Sequence, residues 1–240
     1  QIFDPLGLVG PIVLKVKLML QELWKLKLHW DESIPQGLQS KWQQFQFDIS
    51  QLAELTIPRH ALIFDANSVQ LHGFCDASQN AYGAAIYLRS VDQKGIVSVH
   101  LLCAKSKVAP VKTVTIPKLE LCGALLLARL INKVRSSLTI EISETYYWCD
   151  STICLSWIAA QPSTWKVFVA NRVSEIQQLT KVKNWRHINT EDNPADIISR
   201  TAKIHELKNS RLWWHGPSFL LLDSEFWYTI SDLSLIHISE

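Results

Sequence analysis

Apolar positions in the first quarter of the chain fall at helical spacing. In "IVLKVKLMLQELWKLKL", Val13, Val16, Leu20, Leu23 and Trp24 recur every three or four residues. This predicts an amphipathic helix with Lys15, Lys17, Lys25 and Lys27 distributed around it. A second helix is predicted over "LQSKWQQFQFDISQLAEL", closed off by Pro58.

From Val69 the period changes. "VQLHGFCDAS", "AYGAAIYLRS" and "VSVHLLCAKS" are β-rich runs separated by polar turns, the pattern of an antiparallel meander. A long helix follows from Pro117 to about Val134, then a strand "TYYWCD", a helix "STICLSWIAAQ", a stretch around residues 163 to 180 left unassigned, a basic strand "VKNWRHI" and a helix opening "NPADIISR". This order predicts an α/β fold, with a mixed sheet of a meander plus parallel strands and helices packed on it. Three regions are expected: residues 1–65 as a helical segment, 66–205 as the mixed-sheet domain, and 206–240 as an aromatic-rich connector.

Composition fits a folded chain. Of 240 residues, 48% are apolar and 19% charged, enough for a sizeable core and too few charges for disorder. The net charge of +2 does not by itself announce a partner, but its distribution does more. Between Asp92 and Glu141 the sole acid is Glu120, amid Lys94, Lys105, Lys107, Lys112, Lys118, Arg129, Lys133 and Arg135. That local excess of cations suits a polyanion. Ten tryptophans exceed what packing alone explains and offer stacking surface. Five cysteines, odd in number and without a CxxC pair, read as buried reduced thiols of an intracellular protein. No apolar run has the length of a membrane span. The chain opens mid-stream at "QIFDPLGLVGP" without Met, as a piece of something longer would.

Four acids fall at the ends of predicted elements. Asp76 closes the first strand, Glu120 sits near the start of the long helix, Asp150 lies at a strand-to-helix junction, and Asp196 is expected at the third helical position behind an Asn193 cap and Pro194. Asp192 falls in the loop just before and is expected to be held less rigidly. Turn formation, dipole pairing and capping would each account for one acid alone. On the predicted topology, however, the first and fourth strands are neighbours with the long helix across one face, so Asp76, Glu120 and Asp150 can converge. Gly123, Ala124 and Leu127 share the face of Glu120, and small residues there let the helix lie close. Converging carboxylates need cations between them. Oxygen donors without soft ligands point to Mg²⁺, with Mn²⁺ possible, and two such ions about 4 Å apart suit displacement at phosphorus.

"LHGFCDASQNAYGAAIYLR", "LLCAKSKVAPVKTVTIPKLELCGALLLARL", "WCDSTICLSWI", "WKVFVANRVSEIQ" and "WRHINTEDNPADIISR" together resemble the ribonuclease H region of the Pol polyprotein of BEL/Pao-type LTR retrotransposons. The opening block resembles the segment that follows the reverse transcriptase there. The resemblance implies a ribonuclease H fold and metal-dependent hydrolysis of the RNA strand of RNA–DNA hybrids during reverse transcription. It further implies Asp76, Glu120, Asp150 and Asp196 as the ligands of two metal ions, and an upstream reverse transcriptase as partner in an intracellular particle or nucleus. Under that reading Lys105, Lys107, Lys112 and Lys118 are expected to hold phosphates, and Ser78, Asn80, Ser151 and Thr152 to touch sugars. His187 is a candidate proton shuttle. His72 and His100, inside strands, are expected to be structural.

An integrase-type transferase would need its acids in the order Asp, Asp, Glu, and here Glu comes second. No YxDD-like pair supports polymerase activity. The remaining alternative is a decayed or domesticated module that binds nucleic acid and cuts nothing. The tail "TISDLSLIHISE" resembles nothing familiar and reads as a frameshift or vector-derived terminus.

Overall fold

The computed structural model describes residues 2–29, 31–58 and 60–227, so the tail from residue 229 lies outside the described residues. Among the described residues five strands form one sheet: β1 (Ala66–Ala77), β2 (Ala81–Asp92), β3 (Val97–Val108), β4 (Glu144–Cys149) and β5 (Trp185–His187), in the order β3-β2-β1-β4-β5. The first three pair antiparallel, while β1–β4 and β4–β5 pair parallel. This is the mixed sheet expected of a ribonuclease H fold. The register puts Asp76 opposite Gly83 on β2, and its neighbour Cys75 opposite Cys149 on β4. Asp76 and Asp150 therefore leave adjacent parallel strands at the same end.

On one face lies α3 (Ile116–Ser137), with α4 (Thr152–Ala159) and α5 (Val167–Leu179) beside it. Leu127, Ala128 and Ile131 of α3 meet Leu71, Ile86, Val173 and Ile176 in the first core. Most of the stretch 163–180 is α5, preceded by the 3-10 turn Pro162–Thr164, and its buried Val169, Val173 and Ile176 carry the helical period.

On the other face lie α1 (Gly10–Leu26), α6 (Ala195–Ser199), α7 (Ile204–Asn209) and α8 (Arg211–His215). The expected α1 stripe is displaced. Burial falls on Gly10, Pro11, Ile12 and Leu14, whereas Leu20 and Trp24 are 51% and 81% exposed. The reason is that only the first half of α1 is fully covered by the sheet and α6. α2 (Gln36–Ile49) runs on into a 3-10 turn, Ser50–Glu54, within the predicted second helix. The packing shows no boundary at residue 205. Trp213, Phe219, Leu220 and Trp227 are built into the second core with Phe74, Tyr87, Trp148 and Ile198.

Candidate functional site

Asp76, the last residue but one of β1, is almost fully buried, and two glycines let helices approach it from both faces. A Cβ on Gly123 of α3 would lie 3.1 Å from the Asp76 carbonyl oxygen, and one on Gly83 of β2 would lie 2.6 Å from the Ile198 side chain and 3.3 Å from its carbonyl carbon. On the α6 side, the buried Ser199 hydroxyl donates to Asp76 Oδ2. Ser78 in the β1–β2 turn donates to the Ser199 carbonyl at 2.8 Å. The loop before α6 is fastened by Asn193, whose Nδ2 donates to the Cys75 carbonyl at 3.1 Å and whose Oδ1 accepts from Ala195 N at 3.1 Å. Pro194 thus takes the capping position, and Asp196 is the second residue of a five-residue helix rather than the third of a longer one.

Glu120 lies in the second turn of α3, half-buried, and its carboxylate is hydrogen-bonded to Ser151. Ser151 caps α4, its Oγ accepting from Cys154 N at 3.1 Å. Asp150 Oδ2 accepts from Thr190 at 3.1 Å. Asp196 Oδ1 pairs with Arg200 Nε at 2.5 Å.

Two of these carboxylates, Glu120 and Asp150, sit in the field of Asp76. Burial raises the proton affinity of Asp76; the Ser199 hydroxyl opposes the rise, and the charge of Asp196 adds to it. Glu120 is likewise raised by burial, lowered by Ser151 and raised by Asp76. Burial, then Cys149 and the Asp76 charge, push Asp150 up to about 7, against the hydrogen bond from Thr190. Desolvated acids facing like charges are what a strongly perturbed functional cluster presents. Among the described residues, no three Asp, Glu, His or Cys side chains stand close enough together to hold an ion as they are. The donor chemistry nevertheless suits a hard divalent cation, because the groups are carboxylate oxygens whose shared cost is mutual repulsion in a desolvated pocket. Asp192 lies in the 3-10 turn Thr190–Asp192, whereas it is Asp196 whose charge reaches Asp76.

Of the remaining candidates, His187 ends β5 beside Cys149 and lines an open recess of about 630 Å³ together with Asn189, Thr190, Asn193 and Asp196. Lys105 and Lys107 are exposed on edge strand β3, Lys112 is exposed in the loop before α3, and Lys118 sits with its Nζ 5.5 Å from the Phe168 ring centre. Asn80 is exposed in the β1–β2 turn, and Thr152 begins α4. The hydroxyls of Ser78 and Ser151 are engaged inside the protein. Sequence reasoning did not single out Ser199, Thr190 or Arg200. Arg200 alone carried a local signal, its spacing of four from Asp196.

No curated protein matches the chain. Similar solved structures include the N-terminal RNase H domain of a Mycobacterium tuberculosis protein (15% identity, 55% of this chain and 94% of that one, TM-score 0.36). Another is LC11-RNase H1 in complex with an RNA/DNA hybrid (18%, 55% and 93%, TM-score 0.34). A third is RNase H1 from the halophilic archaeon Halobacterium salinarum (12%, 54% and 91%, TM-score 0.31). The family model described as "Pao retrotransposon-like RNaseH-like domain" matches residues 1–151, a stretch that takes in α1, the first four strands, Asp76, Glu120 and Asp150. With more than half its length so matched, the chain belongs to the Pao retrotransposon-like RNaseH-like domain family.

Proposed function

We propose that this domain is a metal-dependent ribonuclease that hydrolyses the RNA strand of RNA–DNA hybrids. The carrying observation is that Asp76, Glu120 and Asp150, from two parallel strands and the helix across them, are all desolvated and raised in proton affinity, with the Asp76 charge adding to the rise of the other two. Asp76, Glu120, Asp150 and Asp196 would hold two Mg²⁺ ions, with Mn²⁺ a substitute. When bound, such ions activate the attacking water and steady the leaving oxygen. Ser199, Ser151 and Thr190 each fix one carboxylate rotamer, so the oxygens are aimed before substrate arrives. His187, which lines the recess together with Asp196, would carry a proton between solvent and the site. Lys105, Lys107, Lys112 and Lys118 would hold phosphates without reading bases. Strand choice would rest on groove shape and 2′-hydroxyls. An upstream reverse transcriptase supplying the hybrid, inside an intracellular particle, completes the reading.

The test is a labelled RNA–DNA hybrid with Mg²⁺ and the whole chain. The expected result is cleavage of RNA alone, abolished by chelation and reduced on the order of 10³-fold by Asp150→Asn, with hybrid binding retained. Hybrid binding with no metal-dependent cutting by the unaltered chain would instead establish a binding module and overturn the nuclease reading.

A further inference from the structure

Each site carboxylate has a side-chain partner, but these partners differ in kind, and the two supplied by the end of α6 stand side by side. Ser199 is fully buried, and its hydroxyl donates to Asp76 Oδ2 while lying 3.2 Å from the Asp196 carbonyl. Its own carbonyl is held by Ser78 across the β1–β2 turn, so the hydroxyl cannot drift from Asp76 without unfastening that turn. The next residue, Arg200, pairs with Asp196 through a guanidinium whose side chain is 63% exposed. A buried neutral donor remains where it is when a cation arrives. An exposed guanidinium is a cation itself, and it already holds one carboxylate oxygen, Asp196 Oδ1, for which an incoming ion would compete.

From this contrast we infer that Ser199 and Arg200 tune divalent-ion binding in opposite directions. Ser199 is a positioning residue that aims Asp76 at the ion. Arg200 is a resident counter-ion paired through Nε with Asp196 Oδ1, and an incoming ion must compete with it for that oxygen. Once displaced, the guanidinium lies free at the rim of the site as an additional positive charge for a nucleic-acid backbone. The inference rests on the nuclease reading of the four acids.

The experiment uses the full chain and measures Mn²⁺ affinity by electron paramagnetic resonance of the free ion, with no turnover involved. Ser199→Ala should weaken Mn²⁺ binding about tenfold, the usual cost of losing a group that orients a ligand. Ser199→Thr, which keeps the hydroxyl, should restore it. Arg200→Ala should tighten Mn²⁺ binding by up to about fivefold, the scale of an exposed ion pair. The same Arg200→Ala variant should weaken hybrid binding in the presence of the ion and lower its salt dependence by about one released counterion, while Arg200→Lys keeps the salt dependence. A merely structural role for either residue would shift both variants the same way, through loosening of α6, and circular dichroism on each variant reports that loosening directly. Equal or weaker Mn²⁺ binding by a folded Arg200→Ala protein overturns the counter-ion role. Unchanged binding by a folded Ser199→Ala protein overturns the positioning role. Failure of the unaltered chain to bind Mn²⁺ at all would instead remove the nuclease reading beneath both.

Discussion

Two polar clusters are strung along one face of β1, and they resolve burial in opposite ways. Around His72 the polar groups complete one another. Trp148 Nε1 donates to His72 Nδ1 at 3.2 Å, which leaves the proton on Nε2, and that nitrogen faces Gln70 Oε1 at 3.3 Å. Gln70 also accepts from Arg89 Nη1 at 3.1 Å, and the buried guanidinium spends Nε on the Leu220 carbonyl at 2.7 Å. His72 is correspondingly held neutral, its pKa lowered well below the usual value by burial and then by Arg89 and Arg186. Four residues further along, Asp76 and its neighbours gain one hydroxyl each and still resist ionisation. A network whose donors and acceptors balance fixes a structure. One left with excess like charge awaits something from outside.

The largest test of this contrast breaks the balanced end. Arg89→Ala removes the donor to Leu220 and one of the two donors to Gln70, and it opens the packing against Trp227, whose ring centre lies 5.3 Å from the guanidinium carbon. Loss of about 3 kcal/mol is expected, since acceptors in a buried network are left without partners. Urea denaturation measures it, and the hybrid-cleavage rate per folded molecule should stay unchanged. A loss below about 1 kcal/mol would show that the C-terminal segment is docked by its aromatic side chains instead.

The same contrast explains what could be read from the sequence. The meander, α3 and the parallel β4 were legible because their apolar residues repeat with the period of the element they form. That Asp76, Glu120, Asp150 and Asp196 fall at or near the ends of elements was legible because strand ends and helix starts are local features. What escaped was set by tertiary partners. Ser199 lies in "IISR" with nothing to mark it, and its role exists only because α6 folds back onto β1 across 123 positions. Arg89, Trp213 and Trp227 likewise gain their meaning from segments more than a hundred residues apart, so the C-terminal stretch read as a connector rather than as core. On α1 the amphipathic pattern was real, but Leu20 and Trp24 lie beyond the part of the helix that the sheet covers. In α5 the buried Val169, Val173 and Ile176 recur at helical spacing, a local signal that the sequence itself carries.

A smaller effect is expected at the frustrated end, through Gly123. Its replacement by Ala gains about 1 kcal/mol of helix propensity. The new Cβ would stand 3.1 Å from the Asp76 carbonyl oxygen, a backbone atom in mid-sheet that cannot swing aside. The two effects nearly cancel in stability, but α3 must move outward and carry Glu120 with it. Turnover should therefore fall on the order of tenfold with the melting temperature little changed, because misplacement by a fraction of an ångström degrades a positioned site. An unchanged rate would mean that Glu120 is placed by Ser151 alone.

The smallest effect lies in the pH dependence of stability, where the two clusters carry opposite signs. Asp150 has its pKa raised in the fold from 3.8 to about 7. Below about pH 4 both folded and unfolded chains hold the proton, and the site costs nothing. As pH rises towards 7, the unfolded chain ionises while the fold resists, so the contribution of the site to stability falls. His72 behaves in reverse. Above 6.5 it is neutral in both states, and as pH drops below that value only the unfolded chain takes up the proton, so stability is lost on the acid side. Asp150→Asn should thus be more stable than the unaltered chain by about 1 kcal/mol at pH 7.5, with the gap closing towards pH 4. The full electrostatic cost would be larger, but solvent reaches this carboxylate and screens much of it. Mg²⁺ should narrow the gap at pH 7.5, because an ion seated among the carboxylates relieves the repulsion that the substitution removes. A gap independent of pH, measured by urea denaturation in chelator, would mean that Asp150 ionises as freely in the fold as outside it, and the contrast between the two ends of β1 would then be one of geometry without charge.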